Sequence, residues 1–113
     1  MTDTKPHQFE KDRVYATGDS KYLHGYKVKT GETLRITHIG GTFENLGTTE
    51  YVELGYWNGH AYVPIYKDNP EVASDFVNWT GNLWLREGQY VYAYFADVAN
   101  GEKMKLRAEG KYE

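Results

Sequence analysis

The chain has 113 residues, the length of one domain, with 40% hydrophobic residues, 11 tyrosines, 3 tryptophans and a formal net charge of −3. A negative balance without a basic stripe argues against nucleic acid as the primary ligand, and the absence of cysteine removes disulfides, thiolate metal sites and a cysteine nucleophile. No run approaches the roughly 18 apolar residues of a membrane helix, and the polar start MTDTKPHQFEKD holds no apolar signal segment, so a soluble chain made in a cytoplasm, with no membrane partner, is expected.

Residues 1–12 are polar and aperiodic, and Pro6 discourages regular structure. They are expected to form an extended N-terminal arm that lies against something else, a neighbouring subunit being one candidate. A single domain then spans 13–113. Arg13 to Thr17 can form a short strand, closed by the turn Gly18-Asp19-Ser20. Lys21 to Lys29 alternates, with Tyr22, His24, Tyr26 and Val28 on one face and Leu23 among lysines on the other. Thr33 to Ile39 follows as a strand with Leu34, Ile36 and His38 on one face, broken by Gly40-Gly41. Thr42 to Thr49 is a loop or short edge strand with Phe43 and Leu46 as anchors.

Glu50 to Lys67 is the clearest hairpin signal. Asn58-Gly59 suits a two-residue type I′ turn, in which both central residues need positive φ. That turn sets Trp57 opposite His60, Tyr56 opposite Ala61, Leu54 opposite Val63 and Val52 opposite Ile65. Alternation then makes one face aliphatic, and the other aromatic: Tyr51, Trp57, His60, Tyr62 and Tyr66.

Pro70 marks a connection, and Glu71 to Asp75 reads as loop. Phe76 to Trp79 and Leu83 to Arg86 are short strands with a turn or bulge at Gly81-Asn82. Gln89 to Asp97 places Val91, Ala93 and Phe95 on one face and Tyr90, Tyr92 and Tyr94 on the other. After the turn signal Asn100-Gly101, Lys103 to Glu109 puts Met104, Leu106 and Ala108 inward. Seven to nine short strands, turn signals every ~8 to 12 residues and no amphipathic helix predict an all-β fold. The expected architecture is an antiparallel two-sheet sandwich of jelly-roll type, with a small closed β-barrel as the alternative.

Catalytic and metal constellations do not emerge. His7, His24, His38 and His60 form no H-x-H or H-x-x-x-H pair, so no metal or cofactor is expected. Glu53 lies on the aromatic face of the hairpin, but a hydrolytic carboxylate needs positioned partners. Ser20 and Ser74 sit outside any nucleophile elbow. The aromatic face is therefore the candidate binding surface. Three readings stay open for it: stacking on sugar, contact with another protein, or cover by the N-terminal arm or a loop of the same chain.

The C-terminal third reads LWLREGQYVYAYF over Leu83 to Phe95, then VANGEKMKLRAEG over Val98 to Gly110. This layout of strand, Glu-Gly turn, long tyrosine strand, Asn-Gly turn and closing amphipathic strand resembles small β-sandwich virion proteins of tailed phages, of the capsid decoration (cement) or head–tail connector type. The resemblance implies a non-enzymatic structural protein of the virion that binds and stabilises a capsid surface. It also implies a major capsid protein or other virion protein as partner, and an oligomeric assembly. The alternative is a carbohydrate-binding β-sandwich module.

Overall fold

Residues that alternate between apolar and polar build strands, and the computed structural model, which describes residues 5–44, 51–69 and 76–113, contains eight of them. These are β1 (Pro6–Val14), β2 (Tyr22–His24), β3 (Leu34–Glu44), β4 (Val52–Trp57), β5 (Tyr62–Asp68), β6 (Val77–Leu85), β7 (Tyr90–Phe95) and β8 (Lys103–Tyr112). They form two antiparallel sheets of four, ordered β1-β8-β3-β6 and β2-β7-β4-β5. A long hairpin whose halves are β1 to β4 and β5 to β8 must pair β1 with β8, β2 with β7, β3 with β6 and β4 with β5. All four pairings occur, so the sandwich is a jelly roll. The two sheets are separate among the described residues, which excludes the closed-barrel alternative there.

Between the sheets lie Leu34, Ile36, Ile39 and Phe43 of β3, Met104, Leu106 and Ala108 of β8, Val52 and Leu54 of β4, and Val91, Ala93 and Phe95 of β7. Each large aliphatic side chain removed from water here stabilises the fold by about 1.5–3 kcal/mol. The inward faces of β7 and β8 are those expected from alternation. β7 pairs with β2 and β4, and β8 with β1, without a register shift, so their alternation runs on undisturbed.

Several expectations are corrected. The arm expected over 1–12 is, from Pro6 onward, the edge strand β1, paired with β8 from Pro6↔Lys111 to Val14↔Lys103. Its polarity reflects a strand with one wet face, on which Glu10 and Asp12 meet Arg107 and Lys103. The strand expected at Arg13 to Thr17 accordingly ends at Val14. The segment Lys21 to Lys29 is regular only over Tyr22–His24, where Leu23, not its neighbours, is buried. Val28 is also buried, so the alternation changes phase in between. Gly25 lies against Val91, where a Cβ would come within 2.6 Å of its methyl group.

Gly40-Gly41 does not break β3. The strand runs on through Thr42, Phe43 and Glu44 in the interior of its sheet. A Cβ on Gly41 would stand 2.8 Å from Val52 and 3.2 Å from Leu54, so this glycine lets the two sheets approach. A register shift between Ile36 and His38 turns His38 outward, where its Nε2 meets Asn78 Oδ1 at 2.8 Å, and brings Ile39 inward. The stretches expected on either side of Gly81-Asn82 form the single strand β6, and the irregularity expected at these two residues is present as the register shift against β3, between Ile36↔Leu83 and His38↔Thr80. Leu46 and the loop expected at Glu71 to Asp75 lie outside the described residues.

The hairpin of β4 and β5 forms in a different register. Its loop holds four residues, Asn58 to Ala61, and Trp57 pairs with Tyr62, not His60. Asn58 accepts hydrogen bonds at its carboxamide oxygen from the His60 and Ala61 amides, at 2.8 and 3.0 Å, and its own amide donates to Ala61. Only Gly59 of the expected Asn-Gly pair takes positive φ, 104°, so a type I′ turn is excluded. A second shift between Leu54 and Gly55 leaves Ile65 as an extra residue and sets Tyr66 opposite Leu54.

Candidate functional site

The outward face of the sheet β2-β7-β4-β5 collects aromatic residues from every strand. Tyr22 and His24 come from β2, Tyr90, Tyr92 and Tyr94 from β7, Trp57 from β4 and Tyr62 from β5, with Tyr51 just ahead of β4. Pairing aligns them in rows: His24 beside Tyr92 beside Gly55, and Tyr90 beside Trp57 beside Tyr62.

Gly55 is the residue around which the face is built. A Cβ there would stand 2.2 Å from the Val63 carbonyl oxygen and 2.7 Å from the Tyr92 ring and hydroxyl. The missing side chain lets Tyr92 lie flat across β4. Its hydroxyl donates to Glu53 Oε2 at 2.8 Å, on the same face. Tyr22 and Tyr62 then close over it from opposite edges of the sheet. Three strand spacings of about 4.8 Å, roughly 14 Å in all, separate those edges, yet the two rings stack with centroids 4.3 Å apart and planes 19° apart. Both also contact Tyr92, at 5.4 and 4.9 Å. Tyr92 is 0% exposed although it points away from the sandwich core.

The rest of the face packs around this centre. Trp57 meets Tyr62 edge-on at 5.0 Å and Tyr90 nearly parallel at 6.3 Å. His24 packs on Tyr90 at 4.6 Å, and its Nε2 lies 2.8 Å from the Tyr62 hydroxyl. Tyr94 joins Tyr22 at 4.8 Å and Tyr51 at 6.2 Å, and the Lys67 ammonium sits 4.8 Å over the Tyr51 ring. Such ring pairs contribute about 0.5–1.5 kcal/mol each beyond the area they bury.

Burial shapes the titration of this face. It pushes the Tyr92 hydroxyl well above the ordinary phenol range, with the bond to Glu53 adding to the effect. It pushes Tyr90 up to about 12, helped by the Tyr62 hydroxyl, and raises Tyr22 with smaller help from Glu53. Burial lowers His24, and the nearby Lys11 and Arg13 cations lower it further. Burial therefore favours the neutral form of Tyr22, His24, Tyr90 and Tyr92 alike.

Of the five residues expected to share this surface, the structure brings Trp57 and Tyr62 into direct contact and links Tyr51 through Tyr94. It leaves out His60, which is exposed in the loop with no aromatic partner among the described residues. It also leaves out Tyr66, whose hydroxyl donates to Asp68 Oδ2 at 3.2 Å and which is 41% exposed. The bulge at Ile65 reverses the alternation ahead of Tyr66, which separates it from Tyr51 and Tyr62. Sequence reasoning missed Tyr22, His24, Tyr90, Tyr92 and Tyr94 as members of the site. Their alternation was visible strand by strand, but nothing local said that β7 lies between β2 and β4. Tyr92 is covered by Tyr22 of β2 and Tyr62 of β5, whereas Pro6 to Val14 form β1 and belong to the other sheet.

The opposite outer face is ionic. Arg107 pairs with Glu10 at 3.0 Å, Lys105 with Glu44 at 2.6 Å, Lys103 with Asp12 at 3.6 Å and Arg35 with Glu113 at 2.9 Å. The basic run on β8 is thus neutralised across the sheet. A depression of about 360 Å³ on this side is lined by Glu10, Lys11, Asp12, Phe76, Lys105, Leu106 and Arg107, of which Glu10 and Arg107 pair with each other and Lys105 with Glu44. Among the described residues no group of three or more His, Asp and Glu side chains is placed to hold a metal ion. No protein-family model matches the chain, and no curated protein matches its sequence.

Proposed function

We propose that the chain is a non-enzymatic structural protein of a phage virion that binds and stabilises a capsid surface, with the aromatic face of β2-β7-β4-β5 as its contact. The layout of the C-terminal third supports the virion reading. The observation that carries the choice of a protein partner is the way the rings are spent. Tyr22 stacks on Tyr62 and Trp57 lies parallel to Tyr90, so ring faces are turned to each other. A sugar needs an open ring face, whereas a protein surface is met by ring edges and hydroxyls held in fixed positions. Rigid Tyr and Trp side chains lose little conformational entropy on binding and dominate protein hot spots.

The test is the protein composition of virions purified from the source culture. The chain is expected in copy numbers comparable with shell subunits. Trp57→Ala, a partly exposed position, should keep the far-UV spectrum of the parent and lower particle occupancy about tenfold or more, the effect of removing a hot spot of over 1.4 kcal/mol. Virions without the chain would overturn the reading. Binding on a glycan array that Trp57→Ala abolishes would replace it with the carbohydrate-binding module.

A further inference from the structure

A sheet edge presents a row of unpaired backbone N–H and C=O groups, and proteins guard such edges with charge, proline or brevity. Three of the four edges here are guarded. β1 carries Pro6, Glu10, Lys11, Asp12 and Arg13, β5 carries Pro64, Lys67 and Asp68, and β2 is three residues long. β6 is the exception. Its nine residues, VNWTGNLWL, contain no charge and no proline, and among the described residues no strand pairs with its outer side. Trp84 on this strand is 54% exposed.

The strand is also symmetric about its centre. Around Gly81 the residues match in type: Thr80 with Asn82, Trp79 with Leu83, and Val77 with Leu85. Their burial matches as well. Thr80 and Asn82 are exposed, Trp79 and Leu83 half-buried, Asn78 and Trp84 exposed, and Val77 and Leu85 buried. An antiparallel partner reads this strand in reverse, and read in reverse it presents the same profile.

We infer that β6 is the docking edge for a second copy of this chain, paired antiparallel about a two-fold axis at Gly81. This inference stands apart from the virion reading and does not depend on it. In that register Trp79 meets Leu83 of the other copy on the inner side, so two half-buried apolar pairs close over the edge of the core. Thr80 meets Asn82 on the outer side, and Trp84 covers Asn78, whose carboxamide is already held by His38 and the Phe76 carbonyl. No charge is desolvated anywhere along the strand. The four strands of each copy join into one continuous sheet, and the contact is closed because the same patch serves both partners.

Directly opposed residues give the register a test. Thr80→Lys/Asn82→Lys puts like charges opposite one another twice across the axis, while Thr80→Lys/Asn82→Glu puts opposite charges there twice. Both variants alter only exposed side chains, and their melting curves report whether each still folds. Sedimentation equilibrium of the full chain should find two copies. The double-lysine variant should raise the dimer Kd about tenfold, as two like-charge pairs do. The lysine–glutamate variant should restore parental affinity at low salt and lose it as salt rises. A parent that stays monomeric across the accessible concentration range, or that forms an assembly larger than two, overturns the inference. So does a double-lysine variant that dimerises like the parent, or a lysine–glutamate variant as weak as the double lysine.

Discussion

The two sheets share one core but solve their outer faces in opposite ways. Across β1, β8 and β3 the outward face carries lysine, arginine, glutamate and aspartate in cross-strand pairs. On β2-β7-β4-β5 it carries tyrosine, tryptophan and histidine, packed tightly enough that Tyr92 is lost to solvent entirely. Exposed ion pairs stay hydrated and each contributes about 0–1 kcal/mol. Aromatic rings that cover each other remove apolar area from water and behave as a second, smaller core. The lesson is that an outward direction on a strand does not mean exposure, because neighbours on the same sheet can supply the cover.

The comparison can be broken most severely by removing a strand instead of a side chain. Deleting residues 1–12 takes seven of the nine residues of β1, Pro6 to Asp12, and uncovers the edge of β8. The expected outcome is loss of cooperative folding, seen as a featureless thermal melt, even though the residues lost are mostly polar. Next in size, Tyr92→Ala should cost about 3–5 kcal/mol in chemical denaturation, a core-like penalty at an outward position.

pH separates the faces further. The folded-state pKa values of Tyr22, Tyr90 and Tyr92 lie above the ordinary phenol value of about 10. Their contribution is complete below that value. Above it the unfolded chain loses protons first, so stability falls as pH rises through the folded values. On the ionic face Lys105 holds Glu44 below the ordinary carboxylate range, so that contribution is complete above this range and fades in acid. His24, lowered by burial, adds a loss as pH falls through about 6.5. Denaturation midpoints across pH should therefore drop at both ends, with tyrosinate absorbance marking the alkaline limb; tyrosines that ionise at pH 10 without loss of stability would contradict the buried aromatic face. The smallest effect belongs to Arg107→Ala, whose ion pair with Glu10 is well exposed. It should cost under about 1 kcal/mol, less still in high salt.

How far the sequence reaches can be judged from single elements. Val91, Ala93 and Phe95 on β7, and Met104, Leu106 and Ala108 on β8, were assigned inward from alternation alone and are buried. The side-chain period of a strand is a local property of the backbone, and nothing interrupts it there. Alternation failed where an extra residue enters a ladder, at Ile36/His38 and at Ile65, because a bulge is decided by the partner strand. Gly40-Gly41 looked like a break and is a close approach between sheets. Asn58-Gly59 looked like the centre of a tight turn and is the start of a four-residue loop held by the Asn58 carboxamide.

By itself, then, the sequence determined the fold class, a strand number of seven to nine and the inward faces of the regular strands, since these follow from period-two patterning and turn residues within a few positions of one another. Only the tertiary structure decided that β7 lies between β2 and β4, that Tyr22 and Tyr62 reach across a whole sheet to bury Tyr92, and that β6 ends as an uncharged, symmetric edge. Sheet order joins residues far apart in the chain, and no local pattern specifies which strands will meet.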